Sequence, residues 1–185
     1  MRTSQRDQEF SEFVSAHRAR LVAMARLLTA GDEAWAEDCV QTALTRLYLA
    51  WPKARVAENR VAYARTAVTR VFVDETRRAH RRREVTAGPD CPPDGPRRAG
   101  APDGAETADL RHDVLAALAG LAPRQRAVVV LRHWLDLDVA ETARQLDCSE
   151  GTVKSQNAKA LAHLRDALGD HVVPAQAATA HEETR

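Results

Sequence analysis

Aromatic side chains make up only 4% of this 185-residue chain, so its core must rest on aliphatic packing. Cysteine is also scarce. Cys39, Cys91 and Cys148 are odd in number, far apart and in no Cys-x-x-Cys spacing, which excludes a disulfide framework and a structural zinc site and leaves them as reduced thiols. No apolar run approaches the ~18 residues that a membrane helix needs, and the start MRTSQRDQEF has no apolar signal core. The expectation is a cytoplasmic protein with no membrane insertion. Glycine-rich phosphate loops, His-x-x-x-His spacing, Cys/His clusters and a nucleophile elbow are all missing, so no catalytic residue, metal or cofactor is expected. Asp136, Asp138 and Glu141 could be assembled into a metal site, but capping roles account for the last two. His17 lies on an apolar stripe, where a packed imidazole is far commoner than a ligand.

What is present is a helical pattern in long segments rich in Ala, Leu, Val and Arg. The fold class expected is all-α: two small helical domains joined by a flexible linker, the C-terminal one a helix-turn-helix. Boundaries fall at residues 1–84 and 110–169, with a linker at 85–109 and a disordered tail at 170–185. Residues 85–108 hold five of the eight prolines and four of the eight glycines, and almost no large apolar residue, so this stretch cannot build a core. The net charge of +1 conceals a division. Residues 1–83 carry 16 Lys/Arg against 10 Asp/Glu, whereas residues 84–113 carry 3 against 7. A basic segment beside an acidic one suggests a polyanion partner for the first.

In the N-terminal part, Phe10 to Thr29 reads as an amphipathic helix with Phe10, Phe13, Val14, His17, Leu21, Met24 or Ala25, and Leu28 inward. Asp32 can cap a second helix over 33–50, ended by Pro52, with Trp35, Val40, Ala43, Leu44, Leu47, Tyr48 and Trp51 inward. Its other face, Glu37, Asp38, Gln41, Thr42 and Thr45, fits a solvated surface and a docking surface equally well. After a basic loop over 53–60, Asn59 can cap a third helix running to Arg83, with Val61, Ala64, Val68, Val71 and Phe72 buried. The end of that helix crowds Arg77, Arg78, Arg81, Arg82 and Arg83 into seven residues, a cluster suited either to phosphates or to a solvated helix terminus.

In the C-terminal part, Val114, Leu115, Leu118 and Leu121 mark one helix, and Pro123 opens another, PRQRAVVVLRHWLDL. Next come two short helices about a turn, LDLDVAETARQLDCSEGTVKSQNAKALAHLR. Asp138 caps the first, with Glu141 as its reciprocal partner, and Val139, Ala140, Ala143 and Leu146 share a face. Ser149 caps the second, which buries Val153, Ala160, Leu161, Leu164 and Leu168 and turns Gly151, Ser155, Ala158, Lys159 and Ala162 outward, with Lys154 on the shoulder. A small, cationic face of this kind suits a DNA major groove, and an ordinary helical hairpin is the alternative.

The order of these parts resembles the sigma-70 family of bacterial RNA polymerase specificity subunits. AEDCVQTALTRLYLAW is similar to the family's polymerase-docking helix, VAYARTAVTRVFVDETRRAHRRR to its promoter-reading helix, and LAPRQRAVVVLRHWLDLDVAETARQLDCSEGTVKSQNAKALAHLR to its C-terminal helix-turn-helix domain. In detail the chain resembles the extracytoplasmic-function group, most of all a subgroup common in actinobacteria. The resemblance implies an alternative sigma factor that binds core RNA polymerase, through the β′ clamp and β flap, and promoter DNA. An anti-sigma factor is a common further partner in this family. By position it assigns Asp38, Gln41, Thr42, Thr45 and Arg46 to the polymerase, and Asn59, Arg60, Tyr63, Arg65, Arg70, Arg77 and Arg78 to the minus-ten element. Thr152, Lys154, Ser155, Gln156 and Lys159 fall to the minus-thirty-five element. The linker would thread toward the RNA exit path, which its acidity suits. Arg70 stands where related chains commonly carry Asn. Two other classes are weighed beside this one: a self-sufficient helix-turn-helix transcriptional regulator, which would bind duplex DNA without polymerase, and an enzyme with an unrecognised helical site.

Overall fold

The computed structural model describes the backbone of residues 3–86 and 105–169, and the side chains of residues 5–82 and 110–169. The central linker and the C-terminal tail expected from the sequence fall largely outside these residues. The chain divides into two compact units, Met1–Ala99 and Gly100–Arg185, and the described residues of both are helical.

The first unit comprises α1 (Thr3–Leu28), α2 (Glu33–Leu49), the single turn α3 (Trp51–Ala54) and α4 (Arg60–Thr86). Helices α1, α2 and α4 pack pairwise around Leu21, Met24, Leu28, Val40, Leu47, Trp51, Val68, Val71 and Phe72, all almost fully buried. The few aromatics are concentrated here. Phe10 and Phe13 flank the Trp51 ring at 5.1 and 5.2 Å between centroids, and Trp35 lies 5.3 Å from Phe72. Caps delimit the helices where the sequence places them: Asp32 Oδ1 accepts from the Trp35 N–H at 2.9 Å, and Asn59 Oδ1 from the Ala62 N–H at 2.9 Å. Three boundaries differ from expectation. α1 starts at Thr3, seven residues before Phe10, and Arg6 and Asp7 there reach the Tyr48 carbonyl and hydroxyl, so the extra turns are held by tertiary contacts. Pro52 does not close the helical region but opens α3, since proline fits a first turn, where its missing N–H has no partner to lose. The basic loop is correspondingly shortened to 55–59.

The second unit comprises α5 (Ala105–Ala119), α6 (Pro123–Val129), a π turn (Val130–Trp134), α7 (Val139–Leu146) and α8 (Glu150–Leu168). α5 begins five residues before Leu110 and α4 runs to Thr86, so helix occupies both margins of the 85–109 linker. Ala105 to Ala108 contain neither Gly nor Pro, and nothing in them stops a helix. Helices α5, α6 and α7 all pack on α8, around Leu118, Leu121, Val128, Leu131, Leu146, Val153, Ala160 and Leu161. At Gly120, just after α5, the His163 ring of α8 lies over the backbone, 2.4 Å from where a Cβ would stand. The helix opened by Pro123 does not run unbroken to Leu137. It widens at Val130, where the Leu135 N–H donates to the Val130 carbonyl at 3.1 Å, five residues back. The extra residue shifts the helical register, so Leu131 is buried while Trp134 stands 59% exposed.

Candidate nucleic-acid interface

The C-terminal interface is assembled by two caps and one left-handed residue. Asp138 Oδ1 accepts from the Glu141 N–H at 2.6 Å and starts α7. Glu141 does not return the bond as expected. Its carboxylate instead holds Arg144 and Gln145 one turn on, and the Arg144 guanidinium keeps the carboxyl below its ordinary range. Only the return half of such a box occurs, and it is at α6, where Gln125 Oε1 accepts from the Ala122 N–H at 3.2 Å while Ala122 has no side-chain acceptor to reciprocate. Asp147 ends α7 with φ 52°, a left-handed conformation that Asp tolerates, and redirects the chain. Ser149 Oγ then accepts from the Thr152 N–H at 3.1 Å to start α8. Ser149→Ala is expected to cost about 1 kcal/mol of stability. A urea melt matching wild type would show that the cap is not what holds this turn.

Burial of Val153, Ala160, Leu161 and Leu164 sets the rotation of α8. Gly151, Lys154, Ser155, Ala158, Lys159 and Ala162 are exposed as expected. Lys154 and Lys159 flank Ser155, whose hydroxyl donates to the Thr152 carbonyl at 3.0 Å. Gln156 and Thr152 are half-buried, and Thr152 is already engaged by Ser149 through both its N–H and its hydroxyl. α7 presents Thr142, Ala143, Gln145 and Leu146 to the core, whereas Val139 and Ala140 stay half-exposed. The sequence reading missed Arg126. It lies buried on α6 with Nη2 donating to the Leu121 carbonyl at 3.2 Å, and burial lowers its pKa to about 10. It missed equally a clasp across the π turn, His133 Nε2 to Asn157 Oδ1 at 3.0 Å.

In the first unit, α4 turns Arg60, Tyr63, Arg70, Arg77 and Arg78 into an arc of about 100° at 100° per residue. Asn59 sits at the head of this arc, with its oxygen committed to the cap and its amide hydrogens free to donate. Tyr63 is 42% exposed, with a ring available for stacking. Arg65 is not brought together with the others. It stands about 140° from Arg60, half-buried at the edge of the core face. On α2, Asp38, Gln41, Thr45 and Arg46 are exposed, and Thr42 is half-buried. Arg46 is engaged within the unit by Asp74 of α4 at 3.4 Å, while Glu37 pairs with Arg18 at 2.5 Å. The Trp35 indole N–H donates to Glu75 Oε2 at 2.6 Å, joining α2 to α4. Cys39 donates to the same oxygen at 3.6 Å, and burial, reinforced by Glu75, pushes its thiol well above the usual range. No group of three or more potential metal ligands occurs among the described residues, and no helix there is long and apolar enough to cross a membrane.

Two helical units, one carrying a capped helix-turn-helix with a cationic outer face, define a DNA-binding transcription protein. The family models of sigma-70 region 2 and sigma-70 region 4 match residues 13–82 and 111–164. The chain belongs to the sigma-70 family, as an alternative sigma factor of the ECF type found in actinobacteria. It is 37% identical over 178 residues to the RNA polymerase sigma-E factor of Streptomyces avermitilis, covering 96% of this chain and 94% of that one. It is 35% identical over 152 residues to the ECF RNA polymerase sigma factor SigL of Mycobacterium tuberculosis, covering 80% and 82% respectively. Among solved structures, the sigma factor RpoE of Bartonella quintana, crystallised with the anti-sigma factor NepR, shares the fold with a TM-score of 0.69 at 23% identity, covering 89% of this chain and 99% of that one.

Proposed function

We propose that the protein docks on core RNA polymerase through Asp38, Gln41, Thr42, Thr45 and Arg46 of α2 and directs initiation at two-part promoters. The first unit opens and holds the minus-ten element, and the second reads the minus-thirty-five element. The observation that carries this reading is the outer face of α8, where Lys154 and Lys159 flank Ser155 on a surface kept low by Gly151, Ala158 and Ala162. Small residues let a helix enter a major groove, and the two ammonium groups then meet phosphate or guanine. On α4, extruding a base from the duplex costs a few kcal/mol. Stacking on Tyr63 and hydrogen bonds from Asn59 and Arg60 offset that cost only once the strand has opened. Arg70 joins this strand contact, while Arg77 and Arg78 neutralise phosphates upstream. Such a protein supplies recognition and no chemistry of its own, acts in the cytoplasm, and presents surfaces that an anti-sigma factor can occlude.

The test is run-off transcription from a promoter library with actinobacterial core polymerase, with and without the protein. Protein-dependent initiation at fragments sharing two spaced elements is expected. Active core that gains no start sites, while the protein alone shifts a DNA fragment, would replace this reading with a self-sufficient regulator. Lys154→Ala is expected to weaken promoter binding by the full-length protein with core polymerase, and to reduce the slope of log affinity against log salt by about one. An identical slope would place Lys154 off the DNA.

A further inference from the structure

Leu49 closes α2 with 72% of its surface exposed, although the rest of that helix sorts its residues cleanly by face. Ala36, Cys39, Val40, Ala43, Leu44 and Leu47 are buried on one side. On the other, Asp38, Thr42, Thr45 and Leu49 succeed one another at spacings of four, three and four residues. At 100° per residue they fall within about 60° of arc, opposite the core face, in a line about 16 Å long. The leucine is one of the two most exposed large hydrophobic side chains among the described residues. Alternating four and three is the spacing of a seam that receives a second helix, in which side chains on such a line seat between those of the partner. A seam acidic at its start and apolar at its end calls for a partner helix with a cation near one end and an apolar socket near the other.

We propose that Leu49 is the apolar anchor of the polymerase-docking surface, seated in an apolar socket on a helical segment of core RNA polymerase. This rests on the reading that α2 docks on polymerase, and it adds a residue that the positional assignment left out. The polar residues confer direction and salt dependence, whereas the leucine confers affinity that salt does not screen, since burying an exposed aliphatic side chain removes apolar area from water whatever the ionic strength. An aliphatic side chain contributes in this way when it is seated in a pocket and fully desolvated on association.

The experiment titrates the full-length protein against core polymerase at several salt concentrations. Leu49→Gln keeps helix propensity and length at a position that is 72% exposed, so its helical circular dichroism and melting temperature should match wild type. Its affinity is expected to fall roughly tenfold with the salt slope unchanged, and Leu49→Met should restore binding to within about twofold. Asp38→Asn, run alongside, is expected to weaken binding and flatten the salt slope. If Asp38→Asn weakens binding while Leu49→Gln binds as wild type, the anchor is wrong and the docking face stands. A Leu49→Gln loss that comes with a changed salt slope also overturns the anchor. If neither substitution alters affinity, docking through α2 is itself wrong.

Discussion

Trp51→Ala is expected to remove about 3–5 kcal/mol from the stability of the first unit, the largest single loss that its core allows. Trp51 is fully buried, and among the described residues its ring is the only one in contact with both Phe10 and Phe13 of α1, so truncation leaves a cavity that a close-packed core fills only in part. A unit of this size has a total stability of only about 4–12 kcal/mol, and the variant should therefore lose a helical transition at low urea. Trp51→Phe provides the control. The indole N–H is buried without a hydrogen-bond partner, so phenylalanine removes an unpaired donor while keeping most of the ring. It should cost far less than alanine. Urea melts of the full chain followed at 222 nm measure both, and an alanine variant within 1 kcal/mol of wild type would show that the aromatic cluster does not hold α1 to α2.

The second large effect concerns association. Asp38→Arg combined with Gln41→Ala is expected to weaken binding to core polymerase by about a hundredfold while leaving the helical spectrum intact, because both side chains are exposed. Reversing a charge replaces attraction with repulsion at a contact that becomes desolvated on docking, and single groups at such contacts commonly control 2–5 kcal/mol. An affinity unchanged in a quantitative pull-down would take α2 out of the interface. Arg46 separates from this pair. Its guanidinium is shared with Asp74 on α4, so its substitution would alter the α2–α4 junction along with any docking contact, and a loss of binding there would not discriminate between the two.

The amino-acid sequence by itself determined the features whose causes lie within a single turn or a single helical period. Asp32, Asn59, Asp138 and Ser149 each accept a backbone N–H three residues ahead, and an interaction that local can be read from residue type and position alone. The same holds for the rotation of α8, since Val153, Ala160, Leu161 and Leu164 specify one buried face, and with it the outward position of Lys154, Ser155 and Lys159. Periodicity also marked helices in each of the two units.

Only the tertiary structure decided the rest, because it depends on groups that meet after the helices have packed. Trp35 and Glu75 are 40 residues apart, Arg46 and Asp74 are 28 apart, and His133 and Asn157 are 24 apart, and nothing in a local window pairs them. Arg126 is buried with Ala127, Val128 and Val129 while Pro123 and Arg124 on the same helix are exposed, a placement that no property of arginine foretells. Short-range hydrogen bonds and side-chain periodicity act along the chain and can be read from it, whereas burial and long-range pairing are properties of the assembled surfaces.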